Sequence, residues 1–287
     1  MDVIEVRNVS EKLDQFWIKD LNFSIPKGYV TGFIGQNGSG KTTTIQMIMD
    51  VIRPKQGEIK VFGSSNTNSE IKQRIGFVYD ELYMYDNFTI SHMYKFIAPL
   101  YESWDDTLFE RYRSAFELPM KQKLKTFSKG MKMKTSLLFA LAHDPELLIM
   151  DEPTAGLDPV FRRELMDLLQ ELMLDSERTI FFLTHITNDL DRLADYIVFI
   201  DNGQIKLQKS MTEIEEEFHL IKGTREQLTA IGRDAFLGVR ETKQGFTGLF
   251  QGDSTTLASN NHEMIVEKPS LEDMMYLMKG KKGSWQL

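Results

Sequence analysis

Apolar positions along the chain change their spacing as it runs, and the changes divide it into zones. From Met1 to about Tyr79, short β-branched and aromatic runs alternate with turn residues: Val3–Val6, Tyr29–Ile34 and Glu58–Phe62, the last closed by Gly63. Runs of this kind predict strands. Between about Asp80 and Lys125, aromatic and aliphatic residues recur three and four apart through SHMYKFIAPLY and DDTLFERYRSAFEL, which predicts helices with one buried face. A helix beginning near Ser91 is expected to bury Phe96, Ile97 and Leu100. From Ser128 to Ile200, helices alternate with the apolar strands Leu147–Met150, Thr179–Leu183 and Tyr196–Ile200. Strands apolar on both faces, set between helices, predict a parallel sheet covered on both sides, hence an α/β fold.

After about residue 211 the pattern changes again. A charged stretch, the Gly-rich hairpin-like FLGVRETKQGFTGLFQG, a polar turn DSTTLASNN and a short helix opened by Pro269-Ser270 predict a small α+β domain over 211–287. The main domain then covers 1–210, with a helical subdomain over about 80–145. A chain of 287 residues accommodates such a pair. The net charge of -8 argues against a general nucleic-acid binder, whose phosphate contacts need a basic surface. Cys is absent, which excludes disulfides and thiolate metal sites and suits a reducing cytosol. The N-terminal stretch lacks an apolar core, so no signal peptide is expected. The longest apolar run, Leu137–Ala142, is far below the roughly 18 residues of a membrane span. Any membrane role is therefore expected to come through a partner.

Candidate chemistry begins at Gly35-Gln-Asn-Gly38-Ser-Gly40-Lys41-Thr42, which matches G-x-x-x-x-G-K-[ST] between an apolar strand and a helix-compatible stretch, Thr43–Asp50. Glycines there let successive backbone N–H groups cradle phosphates, helped by the helix N-terminus. Lys41 would supply charge at the β- and γ-phosphates, and Thr42 a hydroxyl for Mg²⁺. The alternative, a Gly-rich turn, leaves the lysine unexplained. Next, four apolar residues run into Asp151-Glu152, putting two carboxylates at the C-terminal edge of a buried strand, where open α/β sheets bind ligands. Asp151 would hold the metal and Glu152 would deprotonate the attacking water; alone, the pair could be a solvated strand end. A further strand ends in Thr184-His185 on the same edge, where the imidazole could reach a γ-phosphate oxygen or simply be solvated. Finally, Ser128 in FSKGM can cap the helix that follows. Gly130 weakens that helix, so a close backbone approach is expected there. Six lysines between Lys121 and Lys134 form either a solvated face or a phosphate-facing charge.

Taken in order, these elements resemble the ATP-binding cassette (ABC) family over about residues 1–210. GQNGSGKTTT is similar to its Walker A, FSKGM to its signature, LLIMDEPTAGLDP to Walker B running into the D-loop, and His185 falls at its switch histidine. The resemblance implies a P-loop, RecA-like core with an antiparallel β region and an inserted helical subdomain. It implies ATP and Mg²⁺ as cofactors, with Gly35, Asn37, Gly38, Ser39, Gly40, Lys41, Thr42 and Thr43 at the nucleotide and Glu152 and His185 in catalysis. It also implies a head-to-tail dimer, homomeric or heteromeric, in which Ser128 and Gly130 meet the partner's γ-phosphate. Asp158 would sit at the seam, although Asp158-Pro159 is equally a helix start.

Three positions depart from the pattern. Asp80 stands where the family has its Q-loop glutamine, and a carboxylate there can still serve the metal. Lys129 replaces the first signature glycine. The adenine-stacking aromatic is not evident: Leu13 falls nearest, with Phe16 as a substitute. These departures and the C-terminal appendage resemble ATPase subunits of Ytr- and Pmt-type exporters, which work with ABC-2-type permeases on amphiphilic peptides or antibiotics. The expected function is an ATPase on the cytoplasmic face of the membrane, driving a separate permease that docks around Asp80–Leu100, with Tyr83, Met84, Tyr85 and Phe88 in the contact. A soluble ABC ATPase acting on nucleic acid or the ribosome is the rival, and a small-molecule kinase leaves FSKGM and DEPTAGLDP unaccounted for.

Overall fold

Three sheets organise the residues described by the computed structural model, which are 1–13, 16–80, 82, 85–174, 177–253 and 264–279. The first is antiparallel and begins with two long strands, β1 (Asp2–Leu13) and β2 (Phe16–Pro26). The apolar pattern marked only Val3–Val6 here. β1 carries bulges between Val6 and Glu11, with Asn8 at φ 51°, and each bulge breaks the alternation a period-2 reading needs. β2 alternates buried Leu21, Phe23 and Ile25 with polar residues and ends at Pro26, on the sheet's edge, where a missing N–H is tolerated. β4 (Gln56–Val61) and β5 (Ser64–Ser65) complete the order β2-β1-β4-β5.

The central sheet holds β3 (Val30–Ile34), β6 (Ile75–Val78), β7 (Leu147–Asp151), β8 (Thr179–Thr184), β9 (Tyr196–Asp201) and β10 (Gln204–Ser210) in the order β10-β9-β3-β8-β7-β6. Its pairings are parallel except for β10, which returns antiparallel to β9. Every residue of β3, β7 and β8 is buried, because both faces are covered. Phe181, Leu183 and Ile149 face a core shared with β1 and β2, while Ile180, Phe182 and Met150 face one shared with helices. Those helices are α4 (Lys129–Leu141) and α5 (Pro159–Leu174). The register places Ile34 opposite Thr184 and Asp151 opposite Leu183, so β3, β7 and β8 end together. That common end is where the chemistry collects.

The helical region packs α2 (Ile90–Ile97), α3 (Asp106–Ala115) and α4 around Ile90, Met93, Phe109 and Leu138. Here one expectation is corrected. α2 starts at Ile90, so its buried stripe runs through Ile90 and Met93, with Ile97 half-buried. Phe96 lies roughly 240° around the helix from Ile90 and is 65% exposed, and Leu100 is also exposed.

From Ser210 onwards the chain builds a third sheet. α6 (Met211–Glu217) opens with a capping box at Ser210, and β11 (Phe218–Gly223), β12 (Gly238–Glu241), β13 (Phe246–Gln251) and β14 (Ile265–Glu267) form a sheet in the order β12-β13-β11-β14. The hairpin-like segment is the β12–β13 pair. All but Asp253 of the polar turn DSTTLASNN lies outside the described residues. The last helix, Leu271–Leu277, is capped by Ser270 and turns inward: Leu271 and Met274 join Leu220, Leu249, Leu165 and Leu190 in one apolar cluster. Residues after 210 thus form a sheet of their own and also share a core with the rest.

Candidate active site

The turn between β3 and helix α1 (Lys41–Ile48) is built by its glycines. Gly38 and Gly40 take φ +77° and +112°, values that side chains resist. Gly35 is needed for space, since a Cβ there would stand 2.5 Å from the Ile200 carbonyl and from Ser39 Oγ. The tight turn sends Lys41 back under the loop, where Nζ donates to the Gly35 carbonyl at 2.8 Å and lies 3.2 Å from Glu152 Oε1. Lys41 is buried, so its charge is weakly screened and poised for an anion. Asn37, Gly38, Gly40, Lys41, Thr42, Thr43 and Glu152 line a cavity of about 390 Å³, whose far wall is Leu13 and Phe16. Both residues weighed for the adenine position are therefore at this cavity.

Two carboxylates end β7. Asp151 is buried; Thr42 Oγ1 donates to its Oδ2 at 3.4 Å, and its Oδ1 has no hydrogen-bond partner among the described residues. Burial, then the negative charges of Glu152 and Asp80, push its carboxyl up to about 6. A buried, partnerless oxygen beside two acids is an arrangement that a hard cation would relieve. At Glu152 the backbone turns left-handed, φ 48°, immediately after donating its N–H to the Leu183 carbonyl. That bend brings Oε2 to Thr184 Oγ1 at 3.1 Å and to His185, whose backbone N and Nδ1 lie at 3.2 and 2.8 Å. Burial alone would raise the Glu152 carboxyl. The hydrogen bonds from His185 and the charge of Lys41 outweigh it and hold the group below its usual range. Glu152 is thus an ionised acceptor, and the His185 Nδ1–H is the donor. Sequence reading did not assign Thr184, because its role depends on the neighbouring strand's bend.

The remaining candidates form a second cluster. Ser128 Oγ accepts from the Met131 N–H at 3.2 Å and caps α4. Asp158 Oδ1 accepts from Val160 and Phe161 N–H groups at 3.1 and 3.0 Å, starting α5. The two helix starts touch. A Cβ on Gly130 would stand 3.2 Å from the Phe161 ring, which is the close approach expected at this glycine. Lys134 reinforces the contact, lying over that ring at 5.0 Å and 3.5 Å from Glu164. Among the described residues, none of the hydrogen bonds of Ser128 or Asp158 reaches the Gly35–Thr43 loop. Tyr83 and Met84 lie outside the described residues, while Tyr85 is 76% exposed and meets the half-buried Phe88, itself stacked on Phe96.

One wall of the site had no local signal in the sequence. Gln36, Asn37 and His185 share a cleft of about 780 Å³ with Arg240, Glu272 and Tyr276 from the C-terminal sheet and last helix. The Leu271 N–H reaches Asp191 Oδ1 at 3.3 Å, and Arg162 clamps Asp189 at 2.7 Å, so both neighbouring elements brace the turn after His185.

The family model described as ABC transporter matches residues 18–155. The chain is 32% identical over 209 residues to the ABC transporter ATP-binding protein NatA of Bacillus subtilis, covering 69% of this chain and 84% of that one. It is 34% identical over 192 residues to the bacitracin transport ATP-binding protein BcrA of Bacillus licheniformis, covering 66% and 63%. Among solved structures, an ATP binding subunit of an ABC transporter superposes with a TM-score of 0.67 at 26% identity, covering 75% of this chain and 92% of that one. Among the described residues, no helix is long and apolar enough to cross a membrane.

Proposed function

The chain belongs to the ABC transporter family as one of its ATP-binding proteins, and we propose that the end of its central sheet holds Mg-ATP, with Glu152 activating the attacking water. Such proteins bind ATP, hydrolyse it, and act as dimers with transmembrane permeases. The observation that carries the residue assignment is the convergence of Lys41, Glu152, His185 and the partnerless oxygen of Asp151 at one strand edge.

In this reading the loop N–H groups of Gly38–Thr43 cradle the phosphates, with Asn37 and Ser39 shaping the turn. Lys41 exchanges Glu152 and the Gly35 carbonyl for phosphate oxygens, a charge-assisted contact of the strong kind. Its departure removes one of the influences holding the Glu152 carboxyl low, so the base strengthens as its substrate arrives. His185 keeps its Nδ1–H on Glu152. That hydrogen bond holds the ring at the strand edge, where its other nitrogen can face a γ-phosphate oxygen. Thr42 and Asp151 supply the hard oxygen donors that suit Mg²⁺, with Asp80 close enough for its charge to act on Asp151. When bound, that ion neutralises charge on the β- and γ-phosphates.

The second cluster completes a site on another copy of the chain or on a related chain: Ser128 and Gly130 meet the partner's γ-phosphate, and Asp158 lies at the seam. The exposed Tyr85 and Phe96, joined through the half-buried Phe88, support a docking surface for an ABC-2-type permease. Aromatic side chains supply contact area at low entropy cost. The protein would then sit on the inner face of the membrane. The relative that transports bacitracin supports export of an amphiphilic peptide or antibiotic. The test is titration of the chain with ATP and Mg²⁺. Lys41→Ala should weaken binding roughly 10- to 100-fold, the value of a hydrogen-bonded charge. Unchanged affinity would move the nucleotide elsewhere.

A further inference from the structure

The segment that carries His185 is tied at one end to the site itself and at the other to an arginine from a different helix. Ahead of His185, Thr184 Oγ1 donates to Glu152 and accepts from the Ile186 N–H at 2.9 Å. Behind it, Asp189 ends one short turn, Thr187–Asp189, before the helical turn Leu190–Leu193 puts Leu190 and Leu193 into the core. A single isolated turn is too short to hold its own shape. Arg162 holds it from outside. Its Nε–H is shared between Asp189 Oδ1 and Oδ2, at 2.7 and 2.9 Å, and the carboxylate is only 9% exposed, so water screens the pair weakly. Arg163, the next residue, lines the same groove of about 440 Å³ yet makes no hydrogen bond or ion pair among the described residues. Position, more than charge, therefore makes the contact. Arg162 stands in the first turn of α5, where its N–H donates to the Asp158 carbonyl at 3.0 Å. A cation is disfavoured at that end of a helix, and the Asp189 carboxylate offsets the cost.

We propose that Arg162 is a positioning residue, acting through Asp189 to keep the His185 ring on Glu152. His185 meets Glu152 through its backbone N–H at 3.2 Å and through Nδ1 at 2.8 Å, while its side chain is exposed, so burial does not fix the ring. Only Ile186, Thr187 and Asn188 separate His185 from Asp189. Releasing Asp189 frees that segment to shift, and a misplacement of about 1 Å at a reacting group costs up to roughly 100-fold in rate. The same arginine ties the segment to the head of α5, where Asp158 caps the helix one turn earlier and Phe161 packs on Gly130. A movement of the second cluster is thereby carried to His185 within one chain. The last helix also grips this region, through the Leu271 N–H and Asp191, but at 3.3 Å and two residues further on. The effect on turnover rests on the Mg-ATP reading above, whereas the placement of the ring does not.

Two readings on Arg162→Ala, Arg162→Lys and Asp189→Asn test it, with Arg163→Ala as the control. The first is the tautomer of His185 in the nucleotide-free chain, taken from its ring nitrogen NMR shifts at mildly alkaline pH and assigned by their loss in His185→Gln. Contact with Glu152 demands the Nδ1–H form. The parent and Arg163→Ala should show that form, while Arg162→Ala and Asp189→Asn should drift to the mixture of a free imidazole. The second is steady-state ATP hydrolysis per folded molecule. There kcat should fall roughly tenfold with KM for ATP held within about twofold, the mark of an interaction lost from the transition state and not from binding. Arg162→Lys keeps the charge and should regain part of the loss. A pair that only stabilises the fold would lower the unfolding temperature and leave both readings at parent values, which overturns the proposal. So does a kcat loss matched by Arg163→Ala, or a parent ring in the Nε2–H form. If Arg162→Ala does not fold, Arg162→Lys and Asp189→Asn decide by the same readings. A parent that does not hydrolyse ATP removes the function proposed above and leaves the ring reading to decide the placement.

Discussion

The sheet-end cluster and the cluster at the heads of α4 and α5 are built from the same kinds of parts but to different degrees of completion. At the sheet end, Lys41, Glu152, Thr184 and His185 already touch, and Asp151 keeps an oxygen without a partner among the described residues. At the helix heads, Ser128 and Asp158 satisfy their own backbones, and Gly130 packs on Phe161. That group is satisfied as a structure, its two helix N-termini side by side. On the function proposed above, the difference sets one complete phosphate site beside half of another, which a second copy or a related chain would complete.

The comparison breaks first at Glu152. Glu152→Gln keeps shape but not basicity, so steady-state hydrolysis should fall roughly 10²–10⁴-fold while ATP binding persists. A parent-like rate would deprive the sheet end of its base. Mixing sharpens the second cluster. A Lys41→Ala chain and a Ser128→Arg chain should each be nearly inactive alone, while a mixture regains a fraction of parent activity through the mixed dimers that hold one intact composite site. A mixture no better than its components would mean that both clusters serve the same chain.

Asp151 gives a smaller effect of opposite sign. Its raised pKa means that the folded state holds the proton more tightly than the unfolded one, so its charge destabilises the nucleotide-free protein above about pH 6. That penalty fades as pH falls through 6 towards 4. Asp151→Asn should therefore stabilise the free protein by about 1–3 kcal/mol at neutral pH, a gap that shrinks by pH 5 while the Mg²⁺ effect on ATP binding is lost. Calorimetry across that range checks the sign. Least affected should be Tyr85→Ala, which leaves unfolding within about 0.5 kcal/mol, as for surface positions generally, but lowers recovery of the permease on copurification. Equal recovery would relocate the docking surface.

How much of this was legible in the sequence follows from which features are local. The loop at Gly35–Thr42 could be read because glycine spacing and strand–helix flanks are sequence neighbours. Asp151, Glu152 and His185 could be placed on one edge because apolar strands end where they do. The contacts among them depend on register and on the left-handed bend at Glu152, which no spacing encodes. β2 escaped notice because a one-sided strand with polar alternation beside bulged β1 lacks a continuous apolar run. Phe96 and Leu100 were misassigned to the core because apolar residues lie on both sides of α2, the buried stripe being that of Ile90 and Met93, and because the α-helix ends at Ile97, before Leu100. Arg240 and Tyr276, at the wall beside His185, follow from docking of the C-terminal segment, which is a tertiary event.

That docking has a consequence for synthesis. The apolar cluster beneath α5 and the turn after His185 is closed by Leu271 and Met274, which leave the ribosome after every residue of the sheet end. Until they arrive, a nascent chain with a finished phosphate loop still shows an oily face to water, the kind of surface that chaperones hold and that aggregates otherwise. A chain cut short between the third sheet and its last helix would carry all the candidate catalytic residues and no lid for that face. Quality control would therefore have something to recognise before an unfinished ATPase could reach a permease.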